Sequence, residues 1–327
     1  MSIHRIILCP GQGAQVVGMA RVWCEVSPEA RAVFAEADAV LGTSLGAPLS
    51  TLCFEGPADR LNQTDVSQPA LYAAGVACWR ALLAGWGAGA SAASAEAGLI
   101  AAAGLSLGEY TALHIAGAFD FGTGLRLVAI RGRAMQDAAT GTPSGMVAII
   151  GADEQQAERV CGEVLSGLPA GEVLVCANFN APGQIVISGT KAACERAAAP
   201  EGPAAAMGFR ATALSVAGAF HSPIMASAGA RLAAALASAD ISAPRAVVYS
   251  NVTAQAHVAS ASDSIRKRLV EQLTSPVRWS QSCATMVGEH AGVNPEYHEL
   301  APGKTLTGLF RRIDRAVKVH THDTPTD

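Results

Sequence analysis

No apolar run in the sequence reaches the ~20 residues that a bilayer span requires, because Gly, Ser or charge interrupts each one. A membrane role is therefore not expected. Charge is sparse as well: 23 Lys and Arg stand against 27 Asp and Glu, a net charge of −4. A nucleic-acid partner held by phosphate neutralisation would need a basic excess, so that class is also set aside. The amino terminus, Met1 to Cys9, lacks the charged region, long apolar region and small-residue cleavage site of a secretory signal, and the chain is read as cytoplasmic. Eight cysteines are scattered without one CxxC pair, in a chain too long to need disulfide staples, so reduced and mostly buried thiols are expected. No His/Cys/Asp/Glu cluster has metal-ligand spacing, and neither metal nor cofactor is expected. The sequons at Asn62 and Asn251 carry no weight in a chain that is not secreted.

What the sequence does contain is core-forming material: half of its 327 residues are hydrophobic, enough for one large domain or two modest ones. Arg5 to Cys9 reads as a short strand that stops at Pro10-Gly11, with helices around Ala20 to Glu25 and Pro28 to Leu41. Gln68 to Leu83 has helical spacing, and Gly87 to Ser94 has the small-residue composition of a surface loop. Gly98 to Ala103 is a continuous apolar run suited to a central strand of a parallel sheet, followed by helices over Leu107 to Gly117 and Gly122 to Ala138. After the turn formers Thr140 to Gly145 the order becomes strand, helix, strand, strand, helix, strand. The strands are Met146 to Ile150, Val173 to Ala177, Gln184 to Ser188 and Arg210 to Val216; the helices are Glu154 to Leu165 and Lys191 to Ala199. That is the split β-α-β pattern of a ferredoxin-like unit. A strand at Ala246 to Ser250 and helices at Ile265 to Leu273 and Leu306 to Arg312 resume the longer pattern, and Thr321 to Asp327 reads as a polar tail. The expected organisation is a large α/β domain of residues 1–142 and 217–327, with a small domain of 143–216 inserted.

Gly104-Leu105-Ser106-Leu107-Gly108 is a G-x-S-x-G sequence between a buried strand and a helix, the context that gives the pattern meaning. The turn would lift the Ser106 hydroxyl out of the sheet at a helix amino terminus, where the Leu107 N–H can stabilise an oxyanion. A serine that merely caps the helix is the alternative. A nucleophilic serine needs a base, and there are eight histidines. His4, His320 and His322 lie near the termini, His257 sits in a polar segment, and His290 and His298 flank a loop. His114 is two turns from Ser106 on the same helix, about 12 Å along its axis. His221, after a strand and before a proline-started helix, has the position of a catalytic group, with a capping or core histidine as the alternative. The loop Pro10 to Gln15 matches neither a P-loop nor G-x-G-x-x-G, and its Gln12 is better placed to donate a hydrogen bond than to hold a pyrophosphate.

Taken in order, these segments resemble the malonyl-CoA:acyl carrier protein transacylases of fatty acid synthesis, from about Ile7 to about Ile313. The likeness rests on Pro10 to Gln15, Gln68 to Leu71, Gly104 to Tyr110, Arg131 to Gln136, Asn180 to Gln184, Gly218 to Pro223 and Pro302 to Leu309. It implies a hydrolase-like parallel-sheet domain carrying a ferredoxin-like insert, an active site in the cleft between them, and a monomer. It further implies ping-pong transfer of a malonyl group from malonyl-CoA to the phosphopantetheine thiol of acyl carrier protein. Ser106 matches the nucleophile and His221 the base. Gln12 and the Leu107 N–H match the oxyanion hole, and Arg131 matches the arginine that binds the malonyl carboxylate. Gln272 matches the residue whose main-chain carbonyl orients the histidine, Phe220 the bulky residue associated with unbranched malonyl, and Asn180 a residue near the site. Where most of the family has histidine before the nucleophile, this sequence has Leu105. A dedicated polyketide acyltransferase or an acyl hydrolase are rival readings. So is a non-catalytic docking protein that binds an acidic carrier through Lys304, Arg311, Arg312, Arg315 and Lys318.

Overall fold

The computed structural model describes residues 3–87, 98–258 and 262–325. From residue 88 onward, the small-residue loop noted above lies outside the described residues.

Two sheets organise the chain. The larger is wholly parallel, in the order β7-β2-β1-β8-β9, from β1 (Arg5–Cys9), β2 (Leu99–Gly104), β7 (Val247–Val248), β8 (Glu296–Leu300) and β9 (Val319–His322). Alternation along its central strands feeds two cores. Ile7, Cys9 and Ala102 join the cluster that includes Leu71, Tyr72 and Leu125, whereas Ile6, Leu8, Ala101 and Ala103 pack with Trp279, Met286 and Phe310 on the other face. Burial on both faces is why β1 and β2 read as unbroken apolar runs. The smaller sheet is antiparallel, in the order β4-β5-β3-β6, from β3 (Ser144–Ile150), β4 (Leu174–Ala181), β5 (Gln184–Thr190) and β6 (Arg210–Ala213). Helices Glu154–Ser166 and Lys191–Ala198 supply Val160, Val164, Ala193 and Ala197 to its own core. This is the α/β class expected, with the ferredoxin-like order of strands.

Several elements depart from the sequence reading. Helix Thr64–Trp86 begins four residues before Gln68 and carries Pro69 inside it, because nearly all of its faces are buried and packing outweighs the one helix bond a proline forfeits. β4 runs on to Ala181, carrying Asn178 and Asn180 into the sheet, and β6 stops at Ala213, leaving Leu214 to Val216 to wall the cleft. β8 was not anticipated, since Glu-Tyr-His-Glu-Leu has no apolar run. Its His298 and Glu299 are buried, so His298, read above as flanking a loop, lies within a strand instead. Glu299 is satisfied by the N–H groups of Leu306 and Thr307, both at 2.7 Å, at the start of helix Thr305–Ile313. The expected polar tail begins instead as β9, paired in parallel with β8. All eight cysteines are free and buried.

Candidate active site

The loops that follow β1, β2 and β7 converge at the carboxyl ends of the parallel strands, the edge where open α/β sheets present ligands. After β2 the chain reverses within Gly104 to Gly108. A Cβ on Gly104 would lie 1.9 Å from the Gly108 carbonyl carbon, and one on Gly108 would lie 2.1 Å from the Cys9 oxygen. Both glycines are therefore required by close approach, and the turn forces Ser106 to φ 54°, a left-handed conformation unusual for serine. His221 is also left-handed, at φ 59°. Strain at both residues is held by the hydrogen bonds around them.

Ser106 Oγ lies 2.8 Å from His221 Nε2, and His221 Nδ1 lies 2.7 Å from the Gln272 carbonyl oxygen. The carbonyl can only accept, so Nδ1 carries the proton and Nε2 is left to accept from the serine hydroxyl. Burial, and after it the charge of Arg131, lower the His221 pKa to about 4, which keeps the ring neutral and its Nε2 free to accept a proton. Arg131 is 1% exposed; its Nη2 donates to Ser106 Oγ at 3.0 Å and to Gln272 Oε1 at 2.9 Å, and its Nη1 donates to Gln68 Oε1 at 2.7 Å. Its Nε is buried without a partner, and no carboxylate among the described residues forms an ion pair with it. A cation shut away from water beside a serine is a site prepared for an anion.

The N–H groups of Leu107 and Gln12 have no acceptor among the described residues, and Gln12 lines the cleft while its side chain reaches Thr64 Oγ1 at 3.3 Å. The cleft has a volume of about 520 Å³ and is walled by the antiparallel sheet and by the loops after β1 and β2, with Phe220 and Asn180 on it; Asn180 Oδ1 is buried without a partner among the described residues. The residues matched above to an active site thus come to one place, with Leu107 at the elbow and the others on or against the cleft. The arrangement can deprotonate a serine, hold a negative charge near it and offer free N–H donors to an oxyanion.

Other residues of the site were not found by sequence reasoning. Asn251, dismissed as a sequon, is buried; its Oδ1 accepts the Ser106 N–H at 2.6 Å and its Nδ2 donates to the Gly104 carbonyl at 2.8 Å. Gln68 braces Arg131, and Glu109 is buried beneath the elbow with His257 at 2.7 Å, so His257, read as lying in a polar segment, is a buried residue of the site's support. Gln272 contributes its side chain as well as its carbonyl. Gln68 and Glu109 stand inside segments that carry the family resemblance, though with no role assigned; for Asn251 and His257 the signal was a single polar residue, which a lone sequence does not distinguish from a surface position.

A serine on a strand–turn–helix elbow in contact with a neutral histidine, beside a buried arginine that pairs with no described carboxylate, defines an acyl-transfer enzyme of the α/β class. The chain belongs to the acyl transferase domain family, whose model matches residues 6–308. It is 41% identical over 306 residues to the malonyl CoA-acyl carrier protein transacylase of Salmonella typhimurium, covering 93% of this chain and 91% of that one. Among solved structures it is similar to the malonyl-CoA:acyl carrier protein transacylase of Xanthomonas oryzae, with TM-score 0.87 and 39% identity, covering 100% of this chain and 96% of that one. It is also similar to a malonyl-transacylase solved in complex with its type II polyketide synthase acyl-carrier protein, with TM-score 0.86 and 36% identity, covering 99% and 97%. No described helix is long and apolar enough to cross a membrane.

Proposed function

We propose that this acyltransferase moves a malonyl group from malonyl-CoA to the phosphopantetheine thiol of an acyl carrier protein, supplying extender units for fatty acid synthesis. The observation that carries the reading is Arg131: a buried guanidinium, unpaired with any described carboxylate, whose Nη2 is 3.0 Å from Ser106 Oγ at the floor of the cleft. In the first half-reaction Ser106 Oγ attacks the thioester carbonyl while its proton passes to His221 Nε2. The developing oxyanion is held by the N–H groups of Gln12 and Leu107. His221 returns the proton to the departing CoA sulfur, leaving a malonyl ester on Ser106. The carrier thiol then attacks that ester by the reverse sequence, and Ser106 regains its proton. Arg131 holds the substrate carboxylate through two parallel donors, Phe220 limits the space beside it, and Asn180 offers its unpaired Oδ1 to the cleft. The Gln272 carbonyl keeps the His221 tautomer throughout.

The reaction is assigned to a cytoplasmic monomer without metal or cofactor, in which residues 143–216 form the small unit and residues 1–142 with 217–327 the large one. The two separate sheets support that division. In the basic run proposed for docking, Arg312 is tethered by neutral partners, Gln184 Oε1 and the carbonyls of Pro182 and Gly183, which fix its side chain without cancelling its charge. Intact-protein mass spectrometry after brief mixing with malonyl-CoA tests the proposal. Wild type should gain one malonyl group that added carrier protein removes, and Ser106→Ala should gain none; an adduct surviving in Ser106→Ala would refute the assignment.

A further inference from the structure

We infer that Glu109, held by His257, is a remote counter-charge that positions Arg131 through the side chain of Gln272 and His221 through the main-chain carbonyl of the same residue. The inference rests on the acyl transfer proposed above. Glu109 is fully buried, yet no lysine or arginine among the described residues forms an ion pair with it. Its Oε2 accepts from Gln272 Nε2 at 2.6 Å and from the Asn251 N–H at 3.1 Å, while its Oε1 accepts from His257 Nε2 at 2.7 Å. Three donors converge on this one carboxylate, which is the shared acceptor that fixes all of them.

Gln272 connects this anion to the reacting groups. Its Oε1 accepts from Arg131 Nη2 at 2.9 Å, its Nε2 also donates to the Ser106 carbonyl at 3.0 Å, and its main-chain carbonyl accepts from His221 Nδ1 at 2.7 Å. The amide orientation follows from its partners, since only Nε2 can face Glu109 and only Oε1 can face a guanidinium. One side chain therefore spans a buried anion and a buried cation in a low-dielectric interior, where the two charges order the amide between them.

The placement matters for the chemistry. A carboxylate directly on Arg131 would occupy its donors and compete with a substrate carboxylate. One amide further away, Glu109 offsets the positive charge and fixes the guanidinium while leaving it open to the cleft. His257 completes the arrangement: its Nδ1 is buried without a partner among the described residues, and its Nε2 is the ring atom that holds Glu109. Glu109 and His257 are positioning residues, since neither reaches the cleft.

The test uses the full chain with His257→Leu, His257→Gln and Glu109→Gln, comparing kcat/KM for malonyl-CoA and acetyl-CoA. Loss of a hydrogen bond to a charged group predicts that His257→Leu lowers the malonyl-to-acetyl ratio about tenfold or more. Glu109→Gln, which cannot accept from all three donors, should do the same. His257→Gln keeps an N–H donor and should restore the ratio to within about threefold of wild type. A residue important only for packing would depress both donors equally and would not be rescued by glutamine. An unchanged ratio in folded His257→Leu, or equal impairment in His257→Gln, overturns the inference; if leucine at 257 prevents folding, the ratio in Glu109→Gln decides. Wild type that takes up no malonyl would instead refute the proposed function itself.

Discussion

Removing the Arg131 guanidinium separates substrate recognition from the rest of the machinery. In Arg131→Ala a malonyl carboxylate would enter the cleft without a counter-charge, losing two charge-assisted hydrogen bonds at about 1.5–3 kcal/mol each. A loss of about 3–6 kcal/mol corresponds to roughly a 10²- to 10⁴-fold fall in kcat/KM for malonyl-CoA. Acetyl-CoA has no carboxylate to lose. Its rate should fall only about tenfold, through the broken contacts of Arg131 to Ser106 Oγ and Gln272 Oε1. Arg131→Lys keeps the charge but not the fork, and should lie between. The same variant carries a second signature, because Arg131 is the second cause, after burial, of the lowered His221 pKa. Without it the imidazolium is less disfavoured, so the acid limb of the rate profile should move up from about 4 toward the ordinary histidine value. Steady-state kinetics with both donors across pH reads both effects. Equal proportional losses for malonyl and acetyl, with no movement of the acid limb, would refute the reasoning.

Other outcomes follow from the same geometry. In wild type, kcat/KM should rise with pH through about 4 and be level by 6.5, because neutral His221 is the active form and its pKa is lowered; a midpoint near 6.5 would show that the site is more hydrated than its burial indicates. Asn251→Ala strips partners from the Ser106 N–H and the Gly104 carbonyl inside the elbow, and should cost about 1–3 kcal/mol for each group left buried, read by urea denaturation. Burial also lowers His114 to about 4 and, with its histidine neighbours, His298 to about 3. The unfolded chain therefore binds more protons below pH 6.5, and stability should fall as pH drops from about 6.5 to 4, by up to ~1.4 kcal/mol per unit for each histidine. A denaturation midpoint constant over that range would contradict it.

The parts of this fold that were legible are those in which local pattern and tertiary demand agree. β1 and β2 are unbroken apolar runs because helices cover both their faces, and the inserted unit shows its βαββαβ order because each of its elements has an ordinary period. β8 and β9 were hidden because they pair through main-chain hydrogen bonds, while the side chains of His298, Glu299 and His322 do work usually left to apolar residues. In the site, Ser106 and His221 announced themselves by glycine spacing and loop position. Glu109, Asn251 and His257 did not, because what makes them informative is burial, and a charged or amide side chain gives no sequence sign that water has been excluded from it.

Leu105 shows how far such a departure from a family pattern can matter. At this position the elbow uses the backbone: the Leu105 N–H donates to the Cys9 carbonyl at 3.1 Å, and its carbonyl accepts from Gly108 N at 3.0 Å. A Cβ on Gly11 would fall 2.3 Å from that same carbonyl, so the loop carrying Gln12 is pressed against the main chain of residue 105 whatever its side chain. The turn, the exposed Ser106 hydroxyl and the free Leu107 N–H are therefore independent of having histidine there. What leucine changes is one wall of the cleft, where it packs against the core beneath β1 and offers no hydrogen bond. The fold assigns the chemistry to main-chain geometry and to a charge network below the elbow, and this is why one side chain of the motif can be exchanged while nucleophile, base and carboxylate partner stay in register.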